Sequence, residues 1–213
     1  MNTIYEISKR TIASLMLAVV LFSVGVVGVR AQSCPGTTPD NSGISWTGGG
    51  CQQHVSLTYD GGAHFCDYTI CWCYRYISSS NTYDYVVSSI KYEGSPCSGG
   101  AGNITNANFA YLVDGAISWL DAADPKRSDY LTHTPPCDGN PTPPVLVRRI
   151  RKGVCWSITT DGDGHGYANP CDGTGRCISI QNICKDSNGD KHVVNISSSE
   201  ISGTCTCNVL NCN

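Results

Sequence analysis

Fourteen cysteines placed after an apolar leader constrain this chain more than any other feature of its 213 residues. Lys9 and Arg10 precede the apolar run and the small residues Val29 and Ala31 end it, which is typical of a secretory signal peptide cleaved after Ala31. The run is also about as long as a membrane span of ~20 residues, so an uncleaved anchor is the alternative. An even cysteine count in an exported chain predicts disulfide bonds, because exported compartments are oxidising.

We therefore expect a secreted protein, extracellular or periplasmic, with no membrane span once the signal is removed. The mature chain has 213 − 31 = 182 residues, and its charge is 11 − 16 = −5 after one acid and three bases leave with the signal. This weakly acidic balance argues against nucleic acid as a partner. The expected partner is an extracellular ligand or a second copy of the chain.

Two segments of the chain resemble each other. "SLTYDGGAH" begins at Ser56 and "SITTDGDGH" begins at Ser157. Each is preceded by one cysteine and followed by two cysteines separated by six residues, a Val-Val pair, a glutamate and a further cysteine. The matched cysteines are Cys51, Cys66, Cys73 and Cys97 in one segment and Cys155, Cys177, Cys184 and Cys205 in the other. We expect an internal duplication, in which residues 46–97 and 150–205 form the same unit with equivalent bridges.

The residues of both segments favour β-strands. "YTICWCYRYI" and similar runs are β-branched and aromatic, and the Asp-Gly and Asn-Gly pairs between them are turn signals. Cys71 and Cys73 are two apart on a strand and face the same way, so we expect them to bridge to different partners. The sequence predicts a mainly β fold of two related small disulfide-stapled antiparallel units, joined by one α-helix and a Pro-rich connector.

The helix is predicted between the two units. Apolar residues of "TNANFAYLVDGAISWLDAADP" recur at helical spacing, namely Phe109, Leu112, Val113, Ala116, Ile117 and Leu120. Thr105 or Asn106 can cap its start, and Pro125 marks its end. Prolines then favour an extended connector that Cys137 can tie down. The expected organisation is a signal peptide at 1–31, unit 1 at 32–103, the helix at 104–124, the connector at 125–145, and unit 2 with a Cys-rich tail at 146–213.

The loop "DGDGHGYANPCD" in the second segment resembles the calcium loop of EF-hands and dockerins. Counted from Asp161, it has Asp163 at position 3, Gly166 at position 6, the carbonyl of Tyr167 at position 7 and Asp172 at position 12. A histidine at position 5 and a cysteine inside the loop depart from that pattern. If the loop binds a metal, we expect calcium, held by Asp161, Asp163 and Asp172. The alternative is a plain Gly-rich hairpin turn, and no other cofactor is predicted.

Three further patterns have both a structural and a functional interpretation. His64 and His165 match between the segments and are either surface residues or a shared metal site. Glu93 and Glu200 are either equivalent strand residues or a carboxylate pair of the kind found in glycosidases. "RRIRK", residues 148–152, is interpreted as a solvated strand edge that discourages edge pairing, with contact to an acidic surface polymer as the alternative.

The sequence assigns no catalytic residue, because it contains no nucleophile elbow, phosphate loop or zinc-protease motif. Asn103 and Asn195 begin glycosylation sequons that matter only in a host that uses them. The signal peptide and the strands "YTICWCYRY" and "CISIQNIC" resemble secreted cysteine-rich proteins of environmental bacteria that have no assigned function. We expect a non-catalytic structural, adhesive or surface-binding protein. The alternatives are a calcium-assisted binding module and a secreted hydrolase.

Overall fold

Strand-forming residues dominate the chain, and in the computed structural model they build a single sheet. The structure describes residues 34, 45–62, 64–94, 97, 102–138, 144–153, 155–171, 176–201 and 208–209, with backbone alone at 176, 201, 208 and 209. The strands in these ranges are β1 (Gly48–Thr58), β2 (Phe65–Ile77), β3 (Thr82–Tyr92), β4 (Leu146–Gly153), β5 (Cys155–Thr160), β6 (Gly166–Pro170), β7 (Arg176–Lys185), β8 (Lys191–Ile201) and β9 (Asn208–Val209). The helices are α1 (Phe109–Ala123) and α2 (Arg127–Leu131), and a short 3-10 turn spans Ser78–Ser80.

The sheet forks at β3. Strands β1, β2 and β3 form an antiparallel meander. Residues 82–86 of β3 then pair with β4 in parallel, whereas Ile90 and Lys91 pair with β6 in antiparallel fashion. One branch continues from β4 to β7 and β8, and the other continues from β6 to β5 and β9. Strands β4 and β5, which are almost consecutive in the chain, therefore belong to different branches.

Helix α1 covers one face of the sheet. Its buried side chains have the predicted spacing and are Phe109, Leu112, Val113, Ala116 and Leu120. They join one apolar cluster with side chains of β1 to β4 and β6, and each large aliphatic side chain buried in this way contributes about 1.5–3 kcal/mol. The predicted helix is confirmed. Within the described part of the chain, neither helix is long and apolar enough to cross a membrane.

The ends of α1 differ in how well the sequence predicts them. The residue before the helix is Asn108, and its side chain accepts a hydrogen bond from the Thr105 N–H rather than capping the first turn. The cap expected at Thr105 or Asn106 is therefore wrong, because the helix begins later. At the other end, Asp124 takes a left-handed conformation (φ 44°) directly before Pro125, where the helix was predicted to stop.

Disulfides join strands of the sheet to each other and to its flanking segments. The described pairs are Cys34–Cys73, Cys51–Cys71, Cys66–Cys97 and Cys137–Cys184. Cys71 and Cys73 therefore have different partners, and Cys137 ties the connector to β7, both as predicted. Cys155, Cys171 and Cys177 are also disulfide-bonded, so none of the cysteines in the described ranges is a free thiol. The predicted mainly β, disulfide-stapled fold class is confirmed.

Gly102 fits closely against one of these bridges. A Cβ at this position would lie 1.9 Å from the Cys66 sulfur and 2.4 Å from the Cys97 sulfur. The Gly102 carbonyl accepts a 2.5 Å hydrogen bond from the buried Tyr68 hydroxyl. Only glycine fits here, and the contact fixes where the chain leaves the sheet to enter α1.

The expected equivalence of the two segments is wrong. In the first segment β1 pairs with β2, whereas in the second β5 pairs with β6 and β9, and β7 pairs with β4 and β8. The bridges differ as well, because Cys73 bonds to Cys34 and its match Cys184 bonds to Cys137. Strand β6, which the first segment lacks, takes the place beside β5. The likeness is thus local, and Cys205 lies outside the described residues.

The interpretation of "RRIRK" as a solvated edge is also wrong. These residues form most of β4, which lies between β3 and β7. Arg148 and Arg151 are buried, and buried charges require partners. Arg151 binds Asp84 at 2.9 Å on one face of the sheet, and Arg148 binds Asp121 and Asp124 beside α1 on the other. The basic run is therefore part of an internal strand whose buried arginines form ion pairs.

The predicted domain boundaries remain a prediction. Strands from residues 32–103 and from residues 146–213 hydrogen-bond to one another within one sheet.

Candidate functional site

The predicted calcium loop forms the tight turn between β5 and β6. The Oδ1 atom of Asp161 accepts hydrogen bonds from the backbone N–H groups of Asp163 (3.0 Å) and His165 (2.8 Å). The backbone N–H of Asp161 donates to the His165 carbonyl, and that of Gly164 donates to the Asp161 carbonyl. Gly164 has the left-handed φ of 81° that this turn needs. The Asp161 carboxylate is therefore the acceptor that holds the turn closed.

A second turn, between β7 and β8, has the same construction, but counted from Asp186 it has Lys191 at position 6 and Ser197 at position 12. The Oδ1 atom of Asp186 accepts hydrogen bonds from the N–H groups of Asn188 (2.8 Å) and Asp190 (2.9 Å), and Gly189 has a φ of 83°. Asp163 occupies the position that Asn188 occupies in this second turn. The hydrogen bonds and backbone angles of a hairpin turn therefore explain why the loop contains Asp161 and its glycines. The turn does not require the negative charge of Asp163.

Asp161 also has basic neighbours. Its Oδ2 atom lies 3.4 Å from the Lys91 ammonium and 3.6 Å from the Nδ1 atom of His165. The His165 backbone N–H has the largest effect and lowers the pKa of Asp161 below its ordinary value of 3.8. Burial opposes this effect, and the Lys91 ammonium and the Asp163 N–H lower the pKa further. The pKa of Lys91 is raised by its contact with Tyr167 and by Asp161. Asp161 is thus ionised in the folded protein at neutral pH.

Two of the three predicted calcium ligands come together. Asp161, Asp163 and His165 each place one potential ligand atom within 4.8 Å of the others. Asp172 lies outside the described residues. Calcium prefers oxygen ligands, and His165 offers nitrogen. Calcium binding at this loop stays a prediction.

His64 and His165 each pair with the aspartate four residues earlier in the chain. His64 Nδ1 lies 2.7 Å from Asp60 Oδ2, in the turn between β1 and β2. The same turn is closed by Asp60 Oδ1, which accepts the Gly62 N–H at 2.9 Å. The repeated Asp-Gly-x-x-His pattern therefore encodes two turns, and neither pair supports the shared metal site.

The asparagine of the first sequon is a structural clamp. Asn103 Nδ2 donates to the Gly164 carbonyl at 2.9 Å, and its Oδ1 accepts the Gly166 N–H at 2.5 Å. The side chain thus joins the segment before α1 to the loop between β5 and β6. Asn195 of the second sequon lies on β8 and is exposed.

Glu93 and Glu200 do not form a carboxylate pair. Glu93 holds a bulge in β1: its Oε1 accepts the N–H of His54 and the hydroxyl of Thr69, both at 2.8 Å, and its Oε2 lies 2.8 Å from His54 Nδ1. His54 has a left-handed φ of 56° there. Glu200 lies on β8, where it is paired with Cys177. Strands β7 and β4 separate β8 from the meander that carries Glu93.

A concave feature of the described residues lies beside α1. The helix contacts β1, β3 and β4, and next to it the same face of β7 and β8 forms the floor of a cleft of about 670 Å³. Directly paired residues of neighbouring strands point to one face. Two rows of side chains therefore cross the floor from β4 to β8, namely Lys152–Cys177–Glu200 and Ile150–Ser179–Ser198.

The wall of the cleft comes from α1, through Asp114, Ile117 and Ser118. The Lys152 ammonium donates to Asp114 Oδ1 at 2.5 Å and so links floor to wall. Across the floor, Glu200 adds a second carboxylate and the serines add hydroxyls that both donate and accept hydrogen bonds. This combination can bind a polar ligand by many directed hydrogen bonds.

Sequence reasoning missed this cleft, although it selected Glu200 for another reason. The available signal was the run "ISSSEI" on a strand, where small hydroxyl side chains stand in place of the apolar residues that a covered face requires. The position of α1 relative to that strand was not predictable.

No family model, no curated protein and no solved structure matches this chain.

Proposed function

We propose that this protein is a secreted, non-catalytic binding protein that attaches to an extracellular surface or polymer through the cleft beside α1. The observation that carries the proposal is the polar lining of that cleft by Lys152, Asp114, Glu200 and serine hydroxyls. Clefts of roughly 300–1,000 Å³ with a few convergent polar groups are the usual form of ligand sites.

The roles of the other titratable side chains support a non-catalytic function. His54, His64 and His165 each pair with a carboxylate that shapes a bulge or a turn. The arginines of β4 pair with aspartates in the interior. A hydrolase needs a nucleophile or a general base directed at a substrate site. In the described residues, these candidates are instead engaged in maintaining the fold.

The disulfides support an extracellular location. Disulfides persist in oxidising compartments, and they protect a chain whose strands are joined by turns. The eight cysteines of the four described bridges lie on β1, β2 and β7 and in the segments that flank the strands. Such a framework suits a protein that must stay folded outside the cell.

A calcium-assisted binding module is the second candidate. It is favoured by the convergence of Asp161, Asp163 and His165 within 4.8 Å. In that case calcium would order the loop between β5 and β6, which Asn103 ties to the start of α1.

The test is to recover the native protein from a culture of its producing organism and to fractionate it into free, cell-attached and matrix-attached pools. We expect most of it in an attached pool. Purified wild type added back to the same material should reattach, and Glu200→Ala should remain in solution. Recovery of the native protein as a free monomer, with no reattachment, would contradict a binding function.

A further inference from the structure

We propose that strand β8 pairs with β8 of a second copy of this chain, so that two sheets join edge to edge as a closed dimer. The dimer goes beyond the proposed binding function and does not depend on a ligand in the cleft beside α1. Two features point to it, namely the exposed outer side of β8 and a register in which β8 complements itself.

Strand β8 ends one branch of the sheet and has an open outer side. It is 11 residues long, and among the described residues it pairs with β7 alone. Residues 194–200 are all exposed, and they include the apolar side chains of Val194 (41% exposed) and Ile196 (66%). An edge strand presents a row of unpaired backbone N–H and C=O groups. The outer side of β8 is therefore a template for one more strand.

The features that normally block an edge strand are weak in β8. Such strands are usually short, or they carry prolines, charged side chains or bulges. The sequence of β8 has no proline, and no Asp, Glu, Lys or Arg lies between Lys191 and Glu200. One bulge, at Val194, interrupts its pairing with β7. A partner strand for this edge must therefore be neutral along most of its length and must match the bulge.

A second copy of β8 meets both conditions in the antiparallel register centred on Ile196. Opposed residues must lie on the same face of the sheet, so the register has to follow the alternation of β8 across its bulge. The resulting pairs are Ile196 with itself, Asn195 with Ser197, Val193 with Ser198, His192 with Ser199, and Lys191 with Glu200. The bulged Val194 then faces Ser197 and Ser198 of the second copy, as it faces Asn182 and Ile183 of β7 on its other side.

The opposed side chains suit a contact between two copies of an acidic chain. Ile196 packs against its own copy, and covering these two exposed aliphatic side chains stabilises the dimer. Asn195 and Ser197 both donate and accept hydrogen bonds. Lys191 keeps Asp124 as its partner at 3.0 Å, so Glu200 opposite it avoids like-charge repulsion rather than adding an ion pair. A two-fold axis repeats each pair except the central one, so every match counts twice.

Helix α1 does not obstruct this dimer. A two-fold axis perpendicular to the sheet places both copies of α1 on the same face. The helix packs on β1, β3 and β4, so β7 and β8 of each copy lie between it and the junction. At about 4.8 Å for each strand, the two helices are separated by roughly 20 Å or more. Pairing also turns β8 into an interior strand, and this edge is then closed to a third copy.

The test is sedimentation equilibrium of the oxidised mature protein over a wide range of protein concentrations. We expect a monomer–dimer equilibrium for wild type. Ile196→Lys and Ile196→Glu each oppose two like charges at the two-fold axis and should weaken the dimer by about tenfold or more in dissociation constant. An equal mixture of these two variants should restore a dimer, because the opposed charges then differ in sign.

The matched control is Phe65→Lys, which makes the same kind of change at a side chain of β2 that is 46% exposed. It should dimerise as wild type does, and circular dichroism should verify that each variant is folded. Wild type that stays monomeric at every concentration would overturn the dimer. Dimers that Ile196→Lys leaves intact, or that Phe65→Lys weakens equally, would exclude β8 as the contact.

Two further outcomes test the geometry of the contact. If the mixture of Ile196→Lys and Ile196→Glu stays monomeric, the register centred on Ile196 is wrong. Assemblies of more than two copies would contradict a closed two-fold contact. The binding function is decided separately, by the reattachment of the protein to its native material.

Discussion

The buried charge network around Asp124 provides the sharpest test of what holds α1 and α2 to the sheet. Asp124 is only 8% exposed and lies between the two helices. Its Oδ1 atom lies 3.1 Å from Arg148 Nε, and its Oδ2 atom lies 3.0 Å from the Lys191 ammonium and accepts the Tyr130 hydroxyl. Burial, with Asp124 adding to it, raises the pKa of Tyr130, so that residue stays a donor.

We predict that Asp124→Asn lowers the free energy of unfolding by about 3 kcal/mol. Removing one partner of a buried ion pair typically costs about 3–5 kcal/mol, because the other charge stays buried. The lower end applies because Arg148 keeps Asp121 as a partner, although Lys191 loses the charge of Asp124. Asparagine preserves the shape and tolerates the left-handed φ of 44° at this position. The change therefore isolates charge from backbone strain.

The measurement is equilibrium urea unfolding at neutral pH with the disulfides intact, followed by circular dichroism. The matched control is Asp190→Asn, which removes the partner of Arg127 at 2.9 Å in a pair that is 67% exposed on the acid's side. An exposed pair of this kind contributes about 0–1 kcal/mol. If both variants lost the same small amount, the network would not be what anchors the helices.

Three further predictions concern the turns and the backbone. Gly102→Ala should reduce the yield of correctly oxidised protein and lower its melting temperature, because the new methyl group would overlap the Cys66 sulfur. An unchanged melting temperature would show that the segment around Gly102 moves freely away from the bridge. Asp161→Asn should be less stable than wild type by an amount that is constant above pH ~4 and shrinks as the pH falls. The reason is that the pKa of Asp161 is lower in the folded than in the unfolded protein, so the ionised carboxylate stabilises the fold above the unfolded-state pKa and this stability is lost on protonation. Urea unfolding between pH 2 and 6 measures the difference between the two proteins, and a difference that does not change with pH would exclude the effect. If the loop binds calcium, a calcium concentration of 100 times the dissociation constant should raise the free energy of unfolding of wild type by ~2.7 kcal/mol and that of Asp163→Ala by less. If both proteins have the same melting temperature in calcium and in chelator, the loop is a plain turn.

Local patterns in the sequence were sufficient for much of the fold. The cysteine density predicted the disulfides, and the period of the apolar residues in 109–120 predicted the buried face of α1. Asp-Gly and Asn-Gly located three hairpin turns, because few residues accept the backbone angles that such turns require. Each of these features depends on residues within about one turn or one strand of each other, and that range is readable from a sequence.

The order of the strands, and everything that depends on it, was decided by the tertiary structure. A strand's alternation indicates which side chains share a face, but it does not indicate which strand lies alongside. From its sequence alone, the basic run of β4 resembles an exposed edge. Only the tertiary structure places Asp84, Asp121 and Asp124, which come from distant parts of the chain, beside its arginines. The same holds for the cleft, because Lys152, Asp114 and Glu200 line one surface only where α1 lies beside the forked sheet. Contacts between residues tens of positions apart are chosen by the packing of the whole core, and no local window of sequence contains that information.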